Sequence, residues 1–309
     1  APRRRAREAA ALELRRAVAA TVRAEPFLGG AFLRLAFHDA VRRRDGEASG
    51  AGPRGNHDGT SAVAAATRPP NIRVAATDSL SIAGADGSIA YEIPDAENMG
   101  LGKPLARLEA LRPPALGLGD AIALAGAAAV EAAGGPSIPL ALGRRDAAVA
   151  APRELGRPLS APGDESRDVV TKTMPQPGLS TVGIRRYFRR LGFSDAELVA
   201  LMGAHTLGRH NTLLNMTKAC LRNLTRGCLE AAPVRAPFEA RSPDAFDNAY
   251  FVALLAWDAR TLERGEANFI PTDVALVLDA KFRAHVVAFA RSEPLFRATF
   301  ARAYRKLVR

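Results

Sequence analysis

Two segments of the chain bring histidine together with residues that could take part in its chemistry. In FLRLAFHDA, residues 32–40, Arg34 and His38 stand four positions apart, and Phe37 stands three positions after Arg34. On a helix these three side chains share one side. A cation is costly to bury beside a histidine unless an anionic or reactive group lies between them. The segment therefore predicts an imidazole and a guanidinium that act together on such a group.

The second segment, SDAELVALMGAHTLGRHN (residues 194–211), predicts a helix that ends at a histidine. Ser194 and Glu197 have the spacing of a capping box, and an apolar face that recurs at helical spacing ends in His205. Small residues such as Gly208 leave room for a flat group to approach the imidazole. A lone histidine on an apolar face is more often a satisfied core residue, and this segment alone leaves both interpretations open.

Taken together, the RxxFH and GAHT segments resemble the two haem-facing helices of the plant-type haem peroxidase superfamily. The resemblance covers nearly the whole chain. It implies a mainly α fold of about ten helices, in two halves that sandwich a haem b within one domain over residues 1–309. The distal half would run to about residue 150, and the proximal half over 151–309. His38 would be the distal histidine, and His205 the proximal ligand of the iron.

Helices separated by Pro- and Gly-rich connections must hold these residues in place. Periodicity and breakers predict helices over 5–23, from after Pro26 and the Gly29–Gly30 pair to near Val41, and over 100–112, 117–133, 179–191 and, as a pair, 280–308. We expect the Pro- and Gly-rich residues 150–177 to form a connection between helices. Residues 42–83 predict an insertion close to the distal edge of the haem, because a loop of that length is unusual inside a domain. Residues 134–146, GGPSIPLALGRRD, match a family segment whose role is structural and not catalytic.

Asn98 is the third distal candidate. Glu92 and Asn98 are six positions apart, which matches the spacing of a Glu and an Asn in the family. The resemblance implies that Asn98 accepts a hydrogen bond from Nδ1 of His38, so that Nε2 is left to act as a base. From spacing alone, a turn asparagine before Met99 and Gly100 explains the residue equally well. The implied catalytic set is Arg34, His38 and Asn98.

On the proximal side the resemblance implies that Phe238 stacks against the imidazole of His205. It also implies that Asp273 accepts the hydrogen bond from Nδ1 of that imidazole. Phe37 would be the aromatic residue of the distal face. Class I members usually carry tryptophan at both aromatic positions, so we do not expect a radical route through a proximal tryptophan.

Two sets of oxygen-bearing residues resemble the cation sites of the secretory peroxidases. Such oxygens are the ligands that Ca²⁺ prefers. The distal set, for Ca²⁺, consists of Asp39, Gly84, Asp86 and Ser88. The proximal set, for Ca²⁺ or K⁺, consists of Thr206, Glu239, Ser242 and Asp247.

The function implied by the resemblance is reduction of hydrogen peroxide with a small one-electron donor. His38 would move the peroxide proton from one oxygen to the other, and Arg34 would stabilise the developing charge. We do not expect ascorbate to be favoured, because Leu214 stands where ascorbate peroxidases place an arginine.

A second interpretation is a catalytically weak or inactive peroxidase fold with a structural or binding role. GSIAYE, ENMGL, GGPSIP and FDNAYF most resemble ascorbate-peroxidase-like proteins of the thylakoid lumen, which are suspected of lacking peroxidase function. This resemblance implies a plastid location on the lumen side of the thylakoid, with a mitochondrion or another organelle as the alternative. The partner would then be a photosynthetic membrane complex or an acidic, membrane-associated surface.

Composition and charge argue against several other classes of protein. The net charge is +11, but only five of the 43 basic residues are lysines and the arginines are dispersed, so we do not expect a nucleic-acid partner. No apolar run approaches the roughly 18 residues of a membrane span. The His57–Asp58 pair lacks the further ligands of a metal phosphohydrolase. Cys220 and Cys228 could form a local disulfide, and the sequence alone does not decide whether they do.

Overall fold

The computed structural model describes residues 2–41, 84–148, 180–211, 235–257 and 269–309. The predictions for residues 42–83 and 150–177, and for His57, Asp58, Leu214, Cys220 and Cys228, lie outside these ranges. The ten α-helices of the described residues are α1 (Pro2–Ala24), α2 (Phe27–Ala40), α3 (Gly102–Leu111), α4 (Leu118–Ala132), α5 (Thr181–Arg190), α6 (Asp195–Met202), α7 (Ala249–Leu255), α8 (Pro271–Leu278), α9 (Ala280–Arg291) and α10 (Glu293–Leu307). The mainly α fold class is confirmed.

Three 3₁₀ turns and one short strand pair complete the described elements. The turns are Ser88–Tyr91, Ala96–Asn98 and Gly203–Thr206. Strands β1 (Arg209–Asn211) and β2 (Arg235–Pro237) pair antiparallel, with Arg209 opposite Pro237.

The long periodic helices lie within a few residues of their predicted bounds. The two short helices α7 and α8 were not predicted, because seven or eight residues hold too little periodic pattern to be recognised. A local signal does mark the start of α8. Pro271 occupies its first turn, and the Asp273 carboxylate accepts the backbone N–H of Ile270 at 3.0 Å.

Helix α4 forms the centre of the N-terminal part of the fold. It is buried from Gly119 to Val130, as expected for an Ala-rich helix that is apolar on all sides. Helices α1 and α2 pack against it. The extended segment 134–148 returns along it, and the Asp146 carboxylate caps its first turn by accepting the N–H groups of Leu118 and Gly119 at 2.7 and 2.9 Å.

The C-terminal helix α10 joins the part of the fold around α4 to the part that contains α6 and α9. It packs against α6 and α9. On its opposite side the hydroxyl of the fully buried Tyr304 donates to the carbonyl of Ala123 in α4 at 2.9 Å. Arg144 Nε donates to the carbonyl of Val308 at 2.7 Å. One hydrophobic core therefore continues from α1 through α4 to α10.

The beginning of α2 lies directly against the segment that follows His205. A Cβ added at Gly30 would overlap the backbone carbonyl of Leu207, so only glycine permits this approach. His38 lies roughly 12 Å further along the axis of the same helix. The contact therefore sets where the distal histidine stands relative to the proximal segment.

No helix within the described ranges combines the length and the apolar character needed to cross a bilayer.

Candidate active site

The distal histidine is held in one tautomer by its neighbours. His38 is only 8% exposed, and its Nδ1 lies 2.9 Å from Oδ1 of Asn98. The amide nitrogen of Asn98 donates to the carbonyl of Glu92 at 2.7 Å, which fixes the orientation of the amide. Its oxygen must then accept from His38, so Nδ1 carries the proton and Nε2 has the lone pair. Spacing alone could not separate this arrangement from a turn asparagine.

Arg34 reaches the same turn that carries Asn98. Its two terminal nitrogens donate to the carbonyls of Met99 and Glu97 at 2.9 and 2.8 Å. The side chain is exposed, one helical turn before His38. The 96–99 turn therefore positions all three residues of the predicted distal set. These carbonyl partners of Arg34 were not foreseen in the sequence.

Phe37 links the distal helix to α5. Its ring stacks on Phe188 with centroids 6.3 Å apart and meets His38 edge-on at 6.1 Å. The ring is half-buried. The aromatic residue predicted for the distal face thus also holds α2 against the second part of the fold.

The proximal histidine follows α6 directly. The predicted capping box is confirmed, with Ser194 Oγ accepting from Glu197 N at 3.2 Å and the Glu197 carboxylate accepting from Ser194 N at 2.8 Å. The α-helix ends at Met202, and His205 lies in the 3₁₀ turn Gly203–Thr206 instead of in the α-helix predicted for it. Tightening of the last turn into a 3₁₀ helix is a common way to end an α-helix.

Asp273 and Phe238 fix the His205 ring. Nδ1 of His205 lies 2.7 Å from Oδ1 of Asp273, which is fully buried. The Phe238 ring lies parallel to the imidazole, at 3.9 Å between centroids and an angle of 7°. An ionised carboxylate can only accept, so Nδ1–H donates to it and Nε2 keeps its lone pair. The His205 side chain is 24% exposed, which leaves the imidazole accessible.

Tyr250 is a residue of the site that the sequence analysis missed. Its hydroxyl donates to the same Oδ1 atom of Asp273 at 2.7 Å, and its ring meets His205 edge-on at 5.9 Å. Burial, with a smaller effect of the Asp273 carboxylate, raises the pKa of Tyr250 well above 10. The phenol therefore keeps its proton. A tyrosine in an apolar helical stretch needs a partner when it is buried, and that rule could have flagged it.

The residues of the predicted distal cation set lie together, and backbone groups already engage their carboxylates. Asp39 is fully buried and accepts three N–H bonds, from Asp86 and Gly87 at 2.9 Å and from Ile89 at 3.1 Å. Asp86 Oδ1 accepts from Ser88 N at 3.0 Å. Burial raises the pKa of Asp39 to about 7, against the lowering effect of these bonds. This carboxylate ties the end of α2 to the 84–91 turn.

Gly84 adds a contact with the end of the chain to this cluster. Its φ of +72° lies in the left-handed region, and an added Cβ would overlap the backbone carbonyl of Arg309.

The predicted proximal cation set is also brought together. Asp247 accepts from Thr206 Oγ1 at 3.3 Å and from Ser242 Oγ at 2.7 Å. Glu239 accepts the backbone N–H groups of Arg241 and Ser242 at 2.9 and 3.1 Å, and burial raises its pKa. Across the described part of the chain, no group of three or more His, Cys, Asp or Glu side chains is arranged to hold a metal ion. Both cation sites stay predictions.

The donor set on the proximal side fits a haem iron. A histidine that binds a metal usually donates its other ring N–H to a carboxylate, and the His205–Asp273 pair has that arrangement. His205 would hold the iron through Nε2, with Phe238 behind its ring.

Comparison with known proteins gives a family and several relatives. The model of the family described as Peroxidase matches residues 14–292. A protein of Oryza sativa subsp. japonica named as a peroxisomal L-ascorbate peroxidase is 34% identical over 231 residues, 72% of this chain and 64% of that protein. A protein of Cryptococcus neoformans var. neoformans named as a heme-binding peroxidase is 34% identical over 61% of this chain and 49% of its own length. The mitochondrial cytochrome c peroxidase of Aspergillus fumigatus is 32% identical over 63% and 47%.

The chain thus spans 64% of the length of the rice protein and about half of the two fungal ones. The predicted plastid location on the lumen side of the thylakoid is wrong, because these relatives are named as peroxisomal and mitochondrial proteins. The short segments on which that prediction was based form part of the fold, and they do not determine where the protein is located. A family model that runs from α1 through both histidine segments shows that the chain belongs to the peroxidase family, as the resemblance to plant-type haem peroxidases predicted.

Proposed function

We propose that this protein is a haem-dependent peroxidase that reduces hydrogen peroxide with one-electron donors, in a single domain over residues 1–309. The observation that carries the proposal is a shared feature of the two histidines. Each is held at Nδ1 by a buried oxygen acceptor, Asn98 for His38 and Asp273 for His205. Both imidazoles therefore present Nε2 with a lone pair, one as a proton acceptor and the other as a metal ligand.

Haem, when bound, would supply the iron that activates peroxide and stores its oxidising equivalents. The protein's part on the proximal side is to hold that iron through Nε2 of His205. Asp273 increases the basicity of the ligand, because it accepts the hydrogen bond that the opposite ring nitrogen donates.

On the distal side His38 would accept a proton from one peroxide oxygen at Nε2 and return it to the other oxygen, which leaves as water. Such general acid–base catalysis contributes roughly 10²–10⁴-fold. The Arg34 guanidinium would stabilise the negative charge on the departing oxygen. Its bonds to the 96–99 turn support this role, because they hold the cation one turn from His38.

The donor is proposed to be a small molecule, with ascorbate not favoured. This rests on Leu214, which offers neither charge nor hydrogen bond to an anionic substrate. The named ascorbate peroxidase among the relatives makes ascorbate the necessary comparison. A bound Ca²⁺ or K⁺ is part of the proposal too, and the oxygens gathered around Asp247 support it.

Reconstitution with haem tests the proposal. The purified protein should take up one equivalent and show a Soret band, and His205→Ala should lose that band. His285→Ala is the matched control, since His285 lies on α9 with its ring stacked on Phe289. A wild-type protein that takes up no haem would refute the proposal and favour a peroxidase fold with a structural or binding role.

A further inference from the structure

One oxygen atom on the proximal side accepts two hydrogen bonds. Oδ1 of Asp273 lies 2.7 Å from Nδ1 of His205 and 2.7 Å from the hydroxyl of Tyr250. The other oxygen, Oδ2, accepts the backbone N–H of Ile270 at 3.0 Å. The two donors therefore compete for the same negatively charged oxygen, since both bonds are charge-assisted.

The surroundings of Tyr250 hold its hydroxyl in this position. The residue is fully buried, and its ring meets Phe251 and Phe269 edge-on at 5.0 and 5.7 Å. A buried hydroxyl has no water to exchange with, and the carboxylate is the partner that satisfies it. Because Asp273 is fully buried as well, its charge is stabilised by these three donors and not by solvent.

We propose that Tyr250 is a positioning residue that acts on the proximal ligand through Asp273. By donating to Oδ1, it weakens the bond that the same oxygen accepts from His205. The imidazole then carries less imidazolate character and passes less electron density to an iron bound at Nε2. The inference rests on the proposed haem function, and it adds a residue that tunes the ligand without touching it.

The test uses Tyr250→Phe in the haem-reconstituted protein. The ring packing is kept and only the hydroxyl is lost. With one competitor removed, Asp273 should pull more strongly on the His205 proton. The iron–histidine stretching frequency in resonance Raman spectra should rise, and the ferric/ferrous reduction potential should fall. We expect a change of about tenfold in the redox equilibrium, about 59 mV for a one-electron couple.

Tyr304→Phe is the matched control. Tyr304 is also buried, and its hydroxyl donates to a backbone carbonyl in α4, away from Asp273. This variant should leave the stretching frequency and the potential unchanged. The inference is overturned if Tyr250→Phe binds haem and keeps the wild-type values, or if Tyr304→Phe shifts them equally.

A haem-free measurement separates this inference from the proposed function. In the apoprotein the Nδ1–H proton of His205 should move downfield in Tyr250→Phe, because its bond to Asp273 strengthens. An unmoved resonance contradicts the competition between the two donors. A wild-type protein without a Soret band refutes the haem function, while a downfield shift in the apoprotein would still support the competition at Oδ1.

Discussion

Oδ1 of Asn98 lies 2.9 Å from Nδ1 of His38, although the two residues are 60 positions apart in the chain. The amide nitrogen of Asn98 is bonded to the carbonyl of Glu92 at 2.7 Å, so the side chain cannot turn its nitrogen towards the imidazole. The backbone carbonyl of Glu92, six residues before Asn98, therefore determines which ring nitrogen of His38 carries the proton.

Asn98→Ala should slow the reaction with peroxide by about tenfold to a hundredfold, part of the roughly 10²–10⁴-fold that general acid–base catalysis contributes. Without this acceptor, the tautomer of His38 that carries its proton on Nδ1 loses the hydrogen bond that favours it. Stopped-flow mixing with hydrogen peroxide measures the rate. Asn248→Ala is a suitable control, because the side-chain amide of Asn248 donates to the carbonyls of Phe289 and Ala290 and its loss should leave that rate unchanged. Equal rates for Asn98→Ala and the wild type would contradict the assigned tautomer.

His38→Leu should slow the spectral change that follows peroxide mixing far more than it weakens haem binding. The reason is that His38 carries a proton and does not bind the iron. The loss should reach about 10²-fold or more. Haem affinity measured by titration in the same variant gives the comparison. A variant with the wild-type rate would remove His38 from the mechanism.

Asp279→Asn should lower the free energy of unfolding by about 1 kcal/mol at neutral pH. Arg185 donates to both oxygens of Asp279, at 3.0 and 2.6 Å, and this bond lowers the pKa of Asp279 to about 2. The folded pKa lies below that of the unfolded chain, so the stabilisation is present above about pH 4 and is lost as the pH falls towards 2. The variant keeps an acceptor for the first turn of α9.

Urea unfolding at pH 7 and below pH 4 checks this prediction. The difference between wild type and Asp279→Asn should shrink at the lower pH. Glu8→Gln serves as the control, because its pair with Arg4 is an exposed i,i+4 pair and should contribute little at either pH. A difference that is constant with pH would mean that the ion pair contributes nothing.

Ascorbate should be a poor donor even if the protein reacts readily with peroxide. A recognition site that lacks its charged partner loses selectivity for an anion, and Leu214 supplies no charge. Steady-state assays should show a higher kcat/KM for a phenol such as guaiacol than for ascorbate, and Leu214→Arg should raise the value for ascorbate. A wild-type preference for ascorbate would show that another cation recognises it.

The sequence by itself determined the elements whose signals are local. Apolar periodicity is enough to recognise α1, α2 and α4, and the cap of α6 follows from Ser194 and Glu197. These features depend on residues three or four positions apart, so they are visible without the fold. The same local patterns identified the two histidine segments and, through them, the family.

The family resemblance implied Asn98, Phe238 and Asp273 beside the two histidines. Only the tertiary structure decided the further contacts that hold these residues in place. His205 meets Asp273 across 68 residues of sequence, and Tyr250 reaches the same carboxylate from a third helix. Arg34 bonds to carbonyls more than sixty residues away. Backbone carbonyls have no residue type to read in a sequence, and a buried hydroxyl selects its acceptor only after packing has removed water from both. The placement of Tyr250 on Oδ1 of Asp273 is therefore a property of how α7 and α8 pack together.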